Sequence, residues 1–597
     1  MSYWSKFLNA RIRRRRAVAV SSAAVFGMAL LAACGDGGGG GESSGLIHKP
    51  LDVTKQAKQG GVFKDGARTD VSTLDPYTLS SSEPRRQFVW SRLTRIKSGI
   101  LEPSTGEIEP DVAESWEFSP DKLQMTVKLR RNARWDHRPP TNSRPVDAQD
   151  VVFSWDRLSK LGARRADYVN TVNPSAPVVS VSAPDQQTVV LKLAFPDADL
   201  LTLLAATAAG NFHVLPREAD GGFDIRKENR GSGPYYMSDY VPSVKIEYKR
   251  SPNYYLSNEA FVETWEVPIL TEYAQSLAQL RAGALYRFPE NLRPEDVVPT
   301  KRDVPQLLMV QTDVATETGV AMYGWEDGPN SPFRDERLRQ AFSMTLDRDL
   351  WIDTFYTVSD YRSQGLPMET VWNSVLRCDD FGWWLDPQGR DFGPNAKYYK
   401  RDIAEAKKLV AAAGFPNGLD TNGHYVSTGQ YGRDHERMIQ VQIGMAAEAG
   451  IRIKSVTHNY TSEWGPKYRD ANGNFDGIAW LNISVLSDAG AILGMFNLKG
   501  SLFKGFSADG KSTFAGDPYL NDLTTKIKQE FDRPKRFALA HELQRYVAKT
   551  QHYTRFPGGA SGFNLGWPAI GNFGVYRLGT NPDLSLWIDQ GRPPLKS

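Results

Sequence analysis

Three stretches of the chain hold residue types that could do chemistry, and each fails on spacing or context. GFSADGKS, Gly505 to Ser512, satisfies the phosphate-loop expression G-x-x-x-x-G-K-[ST], in which loop amides and a helix N-terminus converge on phosphate. That device needs an apolar strand before the glycines and a long helix after them. Here Asn497 to Phe503 is interrupted by Lys499, and Gly516-Asp517-Pro518 breaks any helix begun after Ser512, so the match is a chance one. Asp470, Asn472, Asn474 and Asp476 alternate like the oxygen ligands of a calcium loop. Phe475 occupies the position that needs glycine, however, and Leu481 the position of the bidentate glutamate. The eight histidines show neither H-E-x-x-H nor Cys-His spacing, and no G-x-S-x-G elbow occurs, so no metal, haem or nucleophile motif is present and no cofactor is expected. The two cysteines are Cys34 and Cys378; with Cys34 otherwise engaged, Cys378 is a lone thiol, expected to be buried.

The elements that must position any site are clearer. From Pro110 to Leu158 the chain reads as hairpin, loop and helix. Ser115 to Phe118 is a short strand, Pro120-Asp121-Lys122 a turn, and Leu123, Met125, Val127 and Leu129 alternate with polar residues at period two. After a Pro- and Asn-rich loop, Asp147 stands at an N-cap, and Val151, Val152, Trp155 and Leu158 recur at helical spacing. Further on, Thr188 to Leu193 alternates as a strand, and Asp197 to Ala208 reads as a short helix. Asp335 to Thr345 is a helix, Asp402 with Glu405 forms a capping box for one ending at Gly414, and Glu436 to Ala449 feeds the strand at Ile451. Asp517 to Glu530 and Arg533 to Lys549 form a helical pair with Pro534 in the first turn of the second.

The order "PDVAESW, strand, turn, strand, basic residue, polar loop, V-D-A-Q-D-V-V-F-S" resembles the signature region of the extracytoplasmic solute-binding proteins of the peptide/nickel/opine-type ABC importers, solute-binding family 5. Leu74-Asp75-Pro76, the GSGPYY turn at Gly231, the SPNYY run at Ser251 and DERLRQAFSMT before Asp347-Arg348 extend the likeness from Gly60 to about Phe556. Gln124 departs, standing where relatives carry a small or β-branched residue. The resemblance implies an α/β, periplasmic-binding-protein-like (type II) fold, with two large lobes, an extra subdomain and a hinge-bound cleft. It divides the chain into a discontinuous lobe I (60–98, 226–318 and 556–597), subdomain II (99–225) and lobe III (319–555). It also implies that Trp464, in an E-W context, and Trp480, after Phe475-Asp476, are cleft walls, with an acid close behind to meet a peptide α-ammonium. Ile483 and Ser484 stand where that acid belongs, so Asp488 is the candidate. In the loop after the first strand, Ser80 to Glu83, and Ser82 and Glu83 in particular, are further cleft candidates by the same likeness.

Residues 1–33 read as a lipoprotein signal peptide: Lys6, Arg11 and Arg13 to Arg16, then uncharged Ala17 to Ala33. Leu31-Ala32-Ala33-Cys34 resembles a lipobox, which makes Cys34 the lipidated residue, and 34–59 is a tether whose Gly/Ser run Gly35 to Gly45 spans about 20 Å. The leader holds six of the 72 Lys and Arg and none of the 69 acids, so the rest is close to minus three and gives no support for nucleic-acid binding. The function implied is capture of a small solute, an oligopeptide first, by a monomer held at the cell envelope by lipid and facing the periplasm or outside. It delivers to an ABC permease and its ATPase and performs no catalysis. An oligosaccharide or other non-peptide ligand on the same fold is the alternative, and a secreted hydrolase the alternative of another class.

Overall fold

The computed structural model describes residues 45–597 except 79–81, 291, 325–330, 381, 427–430, 433, 470–472, 483–494, 497–516, 578 and 597. Strands Ala113–Phe118 and Gln124–Leu129 pair antiparallel, Trp116 opposite Val127, and Thr188–Leu193 with Val178–Asp185 complete a four-stranded sheet. Met125, Val127 and Leu129 are buried, as the alternation requires. Leu123 is not: it lies in the turn after Lys122, a left-handed residue, and is exposed.

Asp147 caps the helix Ala148–Leu161 in a full capping box. Its carboxylate accepts from the Asp150 amide at 3.1 Å and the Asp150 carboxylate accepts from the Asp147 amide at 3.2 Å. Asp150 is wholly buried and also accepts from the Trp135 indole at 2.9 Å and from both terminal nitrogens of Arg144 at 2.7 Å. One carboxylate thus fastens the helix start to the loop before it.

A second four-stranded sheet orders Val62–Lys64, Thr264–Pro268, Lys245–Arg250 and Tyr235–Val241. The turn before Tyr235 passes hard against the short helix Arg86–Val89. A Cβ at Gly231 would lie 1.8 Å from the Val89 carbonyl oxygen and one at Gly233 2.3 Å from that of Phe88, so both must be glycine. This helix stops at Val89 because Trp90 is extended. Beside this sheet four charged side chains from distant parts of the chain meet. Arg85 pairs with Asp65 and Asp583, and Arg287 pairs with Asp65 at 2.9 Å and Asp583 at 2.8 Å. The stacked rings of Phe63 and Trp265, 4.2 Å apart, lie under the two guanidiniums.

The third sheet has five strands, ordered Ile451–His458, Leu419–Val426, Ile478–Asn482, Gly319–Tyr323 and Tyr553–Arg555. The first three run parallel, Gly319–Tyr323 runs against them, and Tyr553–Arg555 runs with them again. Helices Glu336–Thr345, Ile403–Ala412 and His435–Glu448 contribute to the apolar core on one face, around Phe342, Tyr425 and Trp480. Pro518–Gln529 and Arg533–Thr550 contribute to the core on the other, around Val320, Trp464 and Leu481. Asp402 caps its helix through the Glu405 amide, but the expected capping box is only half formed, since the Asp402 amide donates to Met344 instead.

The chain passes between the second and third sheets twice, side by side. Leu308–Gln311 pairs with Phe563–Gly566, and Ala315-Thr316 pairs with Gly559-Ala560, on whose other side Thr370–Trp372 lies. Side chains have no room in this crossing: a Cβ at Gly558 would lie 2.2 Å from the Val371 oxygen and one at Gly559 2.1 Å from that of Ala315. The apolar core runs through it, since Met309, Phe563 and Leu565 join the cluster that holds Phe342 and Trp480.

Asp150→Ala would leave the Trp135 N–H and the Arg144 fork without their acceptor and remove half of a capping box. A loss of about 3 kcal/mol or more is expected in urea unfolding. A loss below about 1 kcal/mol would show that Asp150 does not organise this region.

Candidate functional site

The strand directions bring His458, Val426, Asn482, Gly319 and Arg555 to one edge of the five-stranded sheet, the carboxyl ends of its four co-directional strands. In open α/β sheets this is the edge where ligands bind. The helix Tyr460–Arg469 comes after the first of these strands and is wound wide, with the Trp464 amide donating to the Asn459 carbonyl at 2.9 Å, five residues back. It lays an aromatic cluster over the edge. Trp464 stacks on Tyr468 at 5.2 Å, its indole N–H donates to the Tyr431 hydroxyl at 2.9 Å, and Tyr431 meets Tyr460 edge-on at 5.7 Å.

Beneath the cluster runs a polar chain. His424 Nε2 lies 3.0 Å from Asp476 Oδ1, His424 Nδ1 lies 3.0 Å from His458 Nε2, and His458 Nδ1 lies 3.5 Å from Glu463 Oε2. Tyr468 packs over both imidazoles, 4.6 and 4.4 Å from their centres. Burial pulls both histidines below their ordinary range, against the field of the two acids. Two neutral rings supply two N–H groups to three contacts, so one of the three goes without a hydrogen. Glu463 accepts from the Asn459 amide at 3.0 Å, and Asp476 also accepts from Asn422 at 2.6 Å. The ring nitrogens of the pair thus face Asp476, each other and Glu463 of the Trp464 helix. Among the described residues no group of three or more His, Cys, Asp or Glu could hold an ion.

The structure separates the two tryptophans read from the sequence. Trp464 belongs to the face just described; Trp480 points to the opposite face, wholly buried against the helix His435–Glu448, where its indole donates to Gln442 at 3.1 Å. The expectation that both form one wall gives way to strand geometry: Ala479 and Leu481 face the Trp464 side, and period two turns residue 480 away. Asp488 lies outside the described residues, as do Cys34, Ser80, Asp470, Asn472 and Gly505 to Ser512. Ser82 spends its hydroxyl locally, donating to the Asp70 carbonyl at 2.7 Å and accepting from the Ser72 amide at 2.9 Å. Glu83 is buried beneath that loop near Arg86 and the Tyr248 hydroxyl, and burial pushes its carboxyl up to about 7. His424, His458, Tyr431 and Tyr468 were not singled out in the sequence.

A second polar contact joins the helical pair to the first four-stranded sheet's surroundings. Lys528 Nζ lies 3.2 Å from Asp197 and donates to the Ser175 carbonyl at 2.9 Å. Arg536 pairs with Asp199, and Phe531 meets Phe118 edge-on at 5.1 Å. Elements from both sides of the double crossing thus touch at a point away from it.

A sequence model of the bacterial extracellular solute-binding proteins, family 5 (middle region), matches residues 107–502, from the hairpin through the aromatic cluster to the third sheet. The chain belongs to this family. It is 25% identical over 311 residues to the periplasmic oligopeptide-binding protein OppA of Haemophilus influenzae, covering 50% of this chain and 54% of the relative. It is 24% identical over 393 residues to the dipeptide-binding protein of Escherichia coli, covering 63% and 66%. The chain thus spans about half to two thirds of the length of these relatives. The structure of the DppA periplasmic binding protein of Helicobacter pylori in complex with the peptide STSA superposes with a TM-score of 0.65 at 20% identity, covering 90% of this chain and all of that one. The fold is the type II periplasmic-binding-protein architecture read from the sequence. Family 5 proteins work outside the cytoplasm, and no helix among the described residues is long and apolar enough to cross a membrane.

His435, at the start of the helix beneath Trp480, is buried and stacks on Phe556 of the crossing, and burial pulls its imidazole down to about 4. An unfolded histidine titrates near 6.5, so the stability tied to keeping it neutral is whole above that pH and falls as pH drops from 6.5 toward 4. By pH 5 the loss reaches about 2 kcal/mol. His435→Gln should show a flatter decline of the urea midpoint between pH 7 and 5 than the parent; parallel declines would exclude His435 as the titrating group.

Proposed function

We propose that this protein captures a small solute, an oligopeptide first, along the aromatic edge of the third sheet and delivers it to an ABC permease and its ATPase, without covalent chemistry. The observation that carries the reading is the unbroken family 5 match over 107–502, which contains both the Trp464 cluster and the strand ends it covers. Relatives named for oligopeptide and dipeptide binding, and a superposable structure holding a peptide, favour peptides over sugars. Tyr431 and Tyr460, half-buried above the wholly buried Trp464 and the buried Tyr468, supply stacking surface on side chains that lose little freedom on binding. The lobe division read from the sequence puts the hinge at the double crossing, near 312–319 and 556–562. Contacts such as Arg536 with Asp199 then belong to the closed form, whose population the ligand raises by binding it better than the open one. Cys34 carries the lipid that holds the protein at the envelope, and the Gly/Ser tether lets the folded body stand off the surface.

Thermal unfolding against di- to hexapeptides, oligosaccharides and nickel chelates tests this. A true ligand at a hundredfold its Kd should add about 2.7 kcal/mol of stability, and Tyr460→Ala should weaken its binding about tenfold while leaving the ligand-free unfolding temperature within a few degrees. Stabilisation by sugars alone would overturn the peptide reading. Unchanged affinity in the Tyr460 variant would move the site elsewhere.

A further inference from the structure

Arg555 ends the last strand of the five-stranded sheet at the same edge as His458, Val426 and Asn482. It lies opposite Val320, one residue from Gly319, which faces Asn482. Tyr553 belongs to the core that holds Trp464, and alternation along the strand turns Arg555 to that same face. The residue is 3% exposed. Its Nε donates to the Val375 carbonyl at 3.0 Å, which fixes the plane of the guanidinium, yet Nη1 and Nη2, both buried, have no hydrogen-bond partner among the described residues.

The acids whose field reaches Arg555 are already engaged. Arg377 Nε lies 2.7 Å from Asp379 Oδ1, and Asp380 accepts from the Arg377 amide at 3.2 Å. None of the described acids comes within ion-pair distance of Arg555 itself. Buried arginines elsewhere in the same lobe are treated differently. Arg339 donates to the carbonyls of Thr550, Gln551, Phe333 and Arg334, and Arg348 to Ser343 and Tyr399. A buried cation whose terminal nitrogens go unused is rare in native proteins and calls for a specific cause. The parallel N–H bonds of its outer fork fit the two oxygens of a carboxylate.

We propose that Arg555 is a ligand-binding residue that receives a carboxylate of the solute at the hinge end of the sheet edge. This deepens the solute-binding reading and rests on it. His458 and Arg555 stand four strand spacings apart, about 19 Å at ~4.8 Å per spacing. An extended solute of about five residues, at ~3.5 Å each, would reach from the aromatic cluster to the guanidinium. Because Phe556, Pro557 and Gly558 of the crossing come directly after Arg555, neutralising this charge acts at the point where the two halves of the molecule join. The site so described selects extended, carboxylate-bearing solutes over neutral ones of the same shape.

The test uses the full chain and two variants, Arg555→Met, which keeps bulk without charge, and Arg555→Lys, which keeps charge without the fork. Unfolding temperatures are measured at constant ionic strength with acetate, succinate or glutarate against chloride, sulfate and phosphate, and Kd values are measured for peptides as free acids and as C-terminal amides. The proposal expects a saturable, carboxylate-specific rise in the parent and a preference for free acids of about tenfold or more. Both should be lost in Arg555→Met and reduced in Arg555→Lys. It also expects the ligand-free Met variant to unfold at or above the parent's temperature, since an unpaired buried charge has gone. If Arg555→Met unfolds well below the parent and Arg555→Lys retains its stability without any change in free-acid preference, the residue is structural and the proposal falls. Equal stabilisation by sulfate and phosphate would overturn the carboxylate assignment. Peptides binding equally as acids and amides would overturn it too, while leaving the solute-binding reading standing. Response to small carboxylates with no response to any peptide would do the reverse, keeping Arg555 and removing the peptide.

Discussion

The quartet of Asp65, Arg85, Arg287 and Asp583 holds together a region built from three separated pieces of chain. Each acid sits between two guanidiniums and each guanidinium between two acids, so no charge is left alone in a place that water does not reach. Burial depresses Arg85 to about 10, and burial would raise Asp583 too, but Arg287 and Arg85 hold its carboxyl well below the usual carboxylate range. The aromatic floor of Phe63 and Trp265 fixes the plane of the two forks. Such a network contributes less net stability than its Coulomb energy suggests, because four ions have been dehydrated. Its effect is to make every arrangement that omits one member costly. The first strand, the start of the helix Arg86–Val89, the segment entering the crossing and the C-terminal tail are thereby held together.

With that body fixed, the third sheet can be placed against it through the double crossing, and the edge of the sheet becomes a surface between two masses. The histidine chain under Trp464 and the unengaged fork of Arg555 occupy the two ends of this edge. One is a region where hydrogen bonds and ring contacts hold aromatic rings still, the other a region where two terminal nitrogens are left without an acceptor. A solute held between fixed rings at one end and a fixed, unpaired charge at the other would find the ordering costs met during folding rather than during binding.

The fold was legible where the controlling interactions are local. The hairpin at 113–129, the cap at Asp147 and the helices that start after Asp335, Asp517 and Asp532 arise from residue types within a few positions of one another. The family, too, was legible, because its signature is a fixed order of such local devices. The site was much less so. Trp480 has the sequence context of a wall residue, yet its side of the strand is decided by which helices pack on which face, a matter settled by residues as near as Gln442 and as far as Phe342. His424 and His458 looked scattered because strands parallel in space are separated by a helix in sequence. Arg555 looks like any cation before an aromatic residue; that its terminal nitrogens lack acceptors is a property of the assembled core alone.

Val320 and Arg555 face each other across neighbouring strands, although 234 residues of chain separate them. The backbone between them starts and ends at one doorway, where Thr370–Trp372 also returns to pair with Gly558–Ala560. Segments tethered in this manner can be lengthened, shortened or exchanged without stretching the connection, as insertions whose ends lie close together generally can. A lineage that keeps the doorway and its glycines could therefore trade the intervening module for another, and change what is recognised while the machinery that senses an occupied cleft stays as it was.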